Sequence, residues 1–194
     1  VAGTIATPKT DLYGTPDDLF ASLHREFDFT IDLAASHEHL TRIREQDQEY
    51  EILAPANHKL PRWFGPGGIV EDALAADWGQ ERGFLNPPFS LIHQLVPKAC
   101  QSARAGALVV MVCKVLSDTA IWHEYVMPFA DRVRLIRGRL SYIQIGRDGA
   151  KSGPATFPAG VVIFRPGLER TPGQQFEACD RLGRPLQARL LEAA

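Results

Sequence analysis

Cysteine is scarce in this chain, at 3 of 194 residues. Cys100, Cys113 and Cys179 lie far apart, and none belongs to a C-x-x-C pair. An odd, widely spaced set excludes a disulfide framework and points to a reducing compartment. No His or Cys residues fall at zinc-ligand spacing, so no metal is expected. Long apolar runs are missing too. The most continuous, Ala107 to Cys113, is far short of the ~20 residues that span a bilayer. The opening segment from Val1 to Lys9 has no apolar stretch of signal-peptide length, and Val in place of Met suggests a trimmed start. The expectation is a soluble, cytoplasmic protein with no membrane partner. Excess charge of one sign is also absent: 21 Lys and Arg against 23 Asp and Glu leave a net charge of −2. That excludes a basic nucleic-acid coat, so any phosphate contact needs a local patch. Internal repeats and low-complexity tracts are absent as well.

What is present is an ordinary globular mixture. Hydrophobic residues make up 45% and charged residues 23%, enough for one substantial core at this length. Thr15-Pro16-Asp17-Asp18 reads as a helix start, with Thr15 as N-cap and Pro16 in the first turn. Leu19, Phe20, Leu23 and Phe27 follow at helical spacing. Phe29 to Leu33 reads as a short strand ending on Asp32-Leu-Ala-Ala35, where small residues let a ligand approach the backbone. Residues 36–70 are charged and then rich in Pro and Gly. They read as an insertion over the core, part of which a helix could occupy.

Beyond Val70 the pattern is regular. Gly83 to Leu85 reads as a strand running into Asn86-Pro87-Pro88-Phe89, after which Ser90 caps a helix to about Arg104. Ala107 to Lys114 is apolar almost throughout, as in a central strand covered on both faces. Asp118 to Ala130 reads as a helix. Val133–Ile136, Leu140–Ile145 and Gly160–Phe164 read as strands, ending in an antiparallel hairpin. The tail 165–194 begins as loop and has room for a short helix after Gln174. Alternation of strands and helices predicts an α/β, three-layer fold in a single domain, 1–194.

The motif that carries chemistry is Asn86-Pro87-Pro88-Phe89. Two prolines fix their own φ and cannot donate to a ladder, so they make a stiff exit from the strand. In an open α/β sheet such an exit lies at the carboxyl ends of the strands, where ligands bind. The Asn86 side-chain oxygen and the Pro87 carbonyl can accept two hydrogens from one exocyclic amino group. Phe89 supplies a face on which a planar base can stack. A tight turn with an aromatic lid would account for the tetrapeptide alone.

The wider set comprises Thr15-Pro16, Leu19-Phe20, Glu26-Phe-Asp-Phe29, Asp32-Leu-Ala-Ala35, Asp72-Ala-Leu74, Asp77-Trp78, Asn86-Pro-Pro-Phe89-Ser90, Lys98-Ala99, Asp118-Thr119, Trp122-His123 and Ile136-Arg-Gly-Arg-Leu140. It closely resembles the phage-type DNA N6-adenine methyltransferases, a small Dam-like family, from Tyr13 to about Phe164. The resemblance implies a class I, Rossmann-like, S-adenosylmethionine-dependent enzyme, an α/β/α sandwich whose mixed seven-stranded sheet has its last strand antiparallel. It also implies DNA as partner and adenine N6 as target, flipped out because a stacked base cannot reach such a pocket. The chain departs from the pattern in three ways. Phe89 stands where Tyr is commoner, the Gly-rich cofactor loop is replaced by Asp32-Leu-Ala-Ala35, and 36–70 is long, with no obvious Asn to grip the ribose.

By that resemblance Asn86, Pro87, Pro88 and Phe89 are catalytic. Thr15 and Pro16 close over the methionine moiety, and Asp32, with Ala34 beside it, pairs with the cofactor ammonium. Asp72 accepts from the cofactor adenine, and Asn86 also borders the cofactor. Arg132, Arg134, Arg137, Arg139 and Arg147 are the densest basic stretch and suit a phosphate-contacting rim. Arg42, Arg44, Lys59 and Arg62 could extend it. The bland alternatives are a strand-end cap for Asp32, a helix N-cap for Asp72 and a solvated strand edge for the arginines. His123 reads as a surface helix residue. Two other functions stay open: methylation of an RNA base or a protein amide, since each presents a planar –NH₂, and a catalytically silent fold that only binds. A monomer or weak homodimer is expected.

Overall fold

The computed structural model describes residues 7–8, 13–45, 48–54, 56–144, 153–167 and 175–186. In chain order the elements are β1 (Thr7–Pro8), β2 (Tyr13–Gly14), α1 (Asp17–Phe27), β3 (Ile31–Asp32), β4 (His39–Glu45), β5 (Gln48–Ala54) and β6 (Arg82–Leu85). A 3-10 turn, Phe89–Leu91, leads into α2 (Ile92–Arg104), and β7 (Leu108–Lys114) follows. A π-helical turn, Trp122–Val126, continues as α3 (Met127–Phe129). The chain ends in β8 (Arg132–Ile136), β9 (Ile143–Gln144), β10 (Ala159–Phe164) and β11 (Gln175–Cys179).

Six strands form the main sheet in the order β11-β8-β10-β7-β6-β3. All are parallel except β10, which runs antiparallel to both β7 and β8. The carboxyl ends of β3, β6, β7 and β8 therefore share one edge of the molecule. The fold is mixed α/β with an antiparallel strand inside the sheet. Residues 137–158 separate β8 from β10, so the expected terminal hairpin is an antiparallel pair with a long connection. The strand expected over Leu140–Ile145 is only β9, which leaves the sheet to pair with β2. Six named strands form the main sheet among the described residues, against the implied seven, and a parallel bridge at Trp63 adds to it beside β3.

The core lies on both faces of that sheet. Val109, Met111 and Cys113 of β7 pack in one cluster with Leu95, Val96 and Ala99 of α2 and with Trp122 and Val126. Leu108, Val110 and Val112 pack in the other with Leu19, Leu23 and Phe27 of α1. Burial on two faces is why β7 is apolar without alternation. Burial also pushes the Cys113 thiol up to about 12, so it behaves as a small core residue.

Several local expectations are corrected. Residues 39–54 form an antiparallel hairpin, β4 with β5, and no helix lies within 36–70 among the described residues. Cross-strand charge pairing explains the composition: Arg42 faces Glu51 at 3.7 Å. Beyond Gln174 the chain forms β11, in parallel with β8, rather than a helix. Ser90 lies within the 3-10 turn and is not a helix cap. Thr15 does not cap α1 either; Pro16 holds the N-cap position with no side-chain bond.

Residues Arg62–Phe64 extend the sheet beside β3. Asp32 N–H donates to the Arg62 carbonyl, Phe64 N–H to the Asp32 carbonyl, and Ala35 N–H to the Phe64 carbonyl. The next residue, Gly65, has φ +125°, and a Cβ there would lie 2.0 Å from the Ala35 carbonyl oxygen. Only glycine permits this return of the chain against Asp32-Leu-Ala-Ala35. No helix among the described residues is long and apolar enough to cross a membrane.

Candidate functional site

The carboxyl edge of the sheet carries a small cleft of about 240 Å³, open to solvent. Gly14, Thr15, Asp32, Ala34, Asn57, Lys59, Phe84 and Asn86 line it. Four sequence candidates therefore meet there: Thr15, Asp32, Ala34 and Asn86. Pro16 adjoins them at the start of α1.

Asp32 ends β3 and is 2% exposed, so it is no solvated strand cap. Its Oδ2 accepts the Lys59 N–H at 3.0 Å and its Oδ1 the Ala34 N–H at 3.5 Å. No cationic side chain touches it among the described residues. Burial pushes the carboxyl up from 3.8 to about 6, against those N–H groups and the Lys59 charge, which pull it down. Beside it, the Thr15 hydroxyl is buried with no hydrogen-bond partner. A desolvated carboxylate and an orphaned hydroxyl in one cleft are groups arranged for a partner from outside.

Asn86 leaves β6 at the Pro-Pro turn. Its Nδ2 donates to the Tyr13 carbonyl at 2.7 Å. Only the amide's NH₂ end can make that bond, so its oxygen is left to accept another group's hydrogens. Pro87 is buried and Pro88 half-buried in an extended conformation, which launches Phe89 into the 3-10 turn. The Phe89 ring meets Phe157 edge-on at 5.1 Å and Tyr13 at 6.4 Å. Tyr142 joins both partners at 6.0–6.1 Å. Lys114, at the carboxyl end of β7, lies 5.4 Å from the Phe157 ring. This four-ring patch was not foreseen, because Tyr13, Tyr142 and Phe157 are distant in the chain.

Asp72 is exposed in a turn, where its Oδ1 accepts the Leu74 N–H at 2.8 Å; it does not line the cleft. The basic stretch divides. Arg134 is 4% exposed, and its guanidinium clamps Glu26 of α1 at 2.6 and 2.7 Å. Arg132 and Arg134 also share Glu177 of β11, at 2.7 and 3.5 Å. β8 is an interior strand, so neither arginine lies on a solvated edge. Both are engaged by glutamates and bind the sheet to α1 and β11, which differs from the exposed rim expected of them. Arg137 and Arg139 are exposed past the carboxyl end of β8, on the edge that carries Asn86. Arg147 lies outside the described residues. Arg62 is paired with Glu81 at 2.7 Å, and Lys59, which lines the cleft, is paired with Asp17. His123 is exposed and paired with the Ser117 carbonyl.

Asn57 is a further residue that sequence reasoning missed. Its Oδ1 accepts the Ser36 N–H at 2.7 Å, and its own N–H donates to the Ser36 carbonyl at 3.0 Å. This clasp closes the base of the hairpin and returns the chain to the cleft. The polar run Asn57-His58-Lys59 between Pro55 and Pro61 was its only sequence signal. Among the described residues no group of His, Cys, Asp and Glu could hold a metal ion.

A family model described as DNA N-6-adenine-methyltransferase (Dam) matches residues 50–173. That span holds Asn57, Lys59 and Asn86 to Phe89, and it begins after Thr15 and Asp32. No curated protein matches the chain.

Proposed function

The chain belongs to the Dam family of DNA N-6-adenine methyltransferases, and on that premise we propose that it methylates N6 of specific adenines flipped out of DNA, with S-adenosylmethionine as donor. The observation that carries this reading is the Asn86 amide, turned by the Tyr13 carbonyl so that its oxygen is left to accept. The cleft fits the amino-acid end of the cofactor: among the described residues no cationic side chain bonds buried Asp32, and the Thr15 hydroxyl lacks a partner. When bound, the cofactor supplies a methyl group on a sulfonium sulfur, which keeps the C–S electron pair as the amine attacks.

The protein's task is positioning. Asn86 Oδ1 and the Pro87 carbonyl hold the two N6 hydrogens, which directs the nitrogen lone pair away from them. The proton that N6 sheds stays hydrogen-bonded at Asn86 Oδ1 until water takes it. Phe89 stacks on the extruded base, and the neighbouring rings keep its face dry. Arg137 and Arg139, beside that edge, contact phosphates and set the register of the duplex.

The mixed sheet with core on both faces supports a Rossmann-like α/β/α sandwich of class I type, as one domain over 1–194. The hairpin would be an insertion within 36–70, and 165–194 the C-terminal tail. Site specificity would come from the hairpin or from the 141–159 region. A cytoplasmic monomer or weak homodimer is the accompanying expectation.

Asn86→Ala tests the mechanism. The variant is expected to bind S-adenosylhomocysteine as the parent does, and to yield N6-methyladenine on DNA at least ~100-fold more slowly by nucleoside mass spectrometry. Undiminished methylation would overturn the reading.

A further inference from the structure

The cleft contains a second charge that the catalytic reading leaves without a task. Lys59 has 16% of its side chain exposed, yet its Nζ is paired with Asp17, which is 82% exposed. A lysine ammonium carries three donors and so can serve more than one acceptor. Here one acceptor reaches it among the described residues, and that acceptor stands in solvent on the first turn of α1. Such a pair gains little for stability. Lys59 is also tied to the neighbouring anion through its backbone, whose N–H donates to Asp32 at 3.0 Å. One residue of the cleft lining thus carries a cation on its side chain while its main chain steadies the anion Asp32. Anion and cation lining one small cleft match a free α-amino acid, which carries ammonium and carboxylate on a single carbon.

We propose that Lys59 is the anchor for the carboxylate of the cofactor's amino-acid end, with Asp17 as the resident anion that holds the ammonium ready until the ligand arrives. This rests on the reading of the cleft as the S-adenosylmethionine site, with Asp32 receiving the ligand's ammonium. It adds the opposite pole. Because the Lys59 backbone N–H survives any side-chain change, its bond to Asp32 and its carboxylate-binding role are separable.

Isothermal titration calorimetry with two ligands makes the test: S-adenosylhomocysteine, and its decarboxylated analogue, which keeps the ammonium. The parent protein is expected to prefer the carboxylated ligand. Lys59→Met retains the aliphatic stem, and it should lose about 10- to 100-fold in affinity for S-adenosylhomocysteine with little change for the analogue. Lys59→Arg should restore part of the preference. Asp17→Asn, at an exposed position, should strengthen S-adenosylhomocysteine binding relative to the analogue by removing the competing anion. If Lys59→Met weakens both ligands equally, or neither, the carboxylate role is refuted while the cofactor site stands. An unchanged ligand ratio in Asp17→Asn counts against it in the same way. If the parent protein binds neither ligand, the cofactor reading falls and takes this proposal with it.

Discussion

Asp32→Asn is expected to stabilise the ligand-free protein at neutral pH while abolishing tight cofactor binding. The folded carboxyl titrates near 6 rather than its ordinary 3.8, mainly because it is buried. Between those values the unfolded chain ionises first and the folded chain keeps its proton. Stability of the parent protein therefore falls as pH rises through that window, and the loss is complete above about 6. The displacement from 3.8 to about 6 corresponds to about 3 kcal/mol. Asn avoids this cost but turns an NH₂ toward one of the two N–H donors, which takes back about 1 kcal/mol. The variant should gain about 2 kcal/mol at pH 8, or roughly 4–8 °C in Tm for a chain of this size. At pH 4 it should gain nothing. Urea unfolding at pH 4, 6 and 8, with and without S-adenosylhomocysteine, reads both effects. The ligand should raise the midpoint of the parent protein at pH 8 and leave that of Asp32→Asn unmoved. A variant less stable than its parent at pH 8, or an offset constant across pH, would refute the argument.

Further outcomes separate the arginines and the hydroxyl. Arg134→Leu leaves Glu26 and Glu177 without their buried partner and should cost about 1–3 kcal/mol in urea unfolding, since both glutamates are partly exposed and Glu177 keeps Arg132. Replacing Arg137 and Arg139 by Gln should leave stability within about 0.5 kcal/mol. If both touch phosphates, the slope of log affinity for DNA against log salt should shrink by about 0.9 for each. Thr15→Val removes a buried hydroxyl that has no partner, so the ligand-free protein should hold or gain about 1 kcal/mol. Calorimetry on the same variant should show S-adenosylhomocysteine binding weakened roughly 2- to 12-fold, the worth of one hydrogen bond.

Where local chemistry alone decides structure, it could be read from the chain. β7 is apolar because both of its faces are covered. Leu19, Leu23 and Phe27 repeat because one side of α1 meets the sheet. Two prolines after Asn86 cannot continue a strand, so that turn was visible, and with it the edge that carries the cleft. Pairing across distance was not visible. Arg42 and Glu51 read as a charged run until the register of β4 and β5 sets them opposite each other. Arg134 looks like any surface arginine until Glu26, over a hundred residues away in sequence, closes on it. Thr15 has the chemistry of an N-cap, and only the packing shows that its hydroxyl points elsewhere. Lys59 joined a supposed rim because composition records its charge and not the direction of its side chain.

The Ser36–Asn57 clasp bears on how a chain like this can change. Two main-chain and side-chain bonds hold the ends of 36–57 together at the cleft. His37 adds a bond to the Pro66 carbonyl, and past it the strands of the hairpin are expected to lengthen, shorten or be exchanged with little effect on Asp32 or Lys59. We expect a version that joins Ser36 to Asn57 by a short Gly-containing turn to keep its affinity for S-adenosylhomocysteine and lose its choice of DNA site. The hairpin would then be a cassette, free to drift from one target sequence to another while the chemistry beneath it is inherited unchanged.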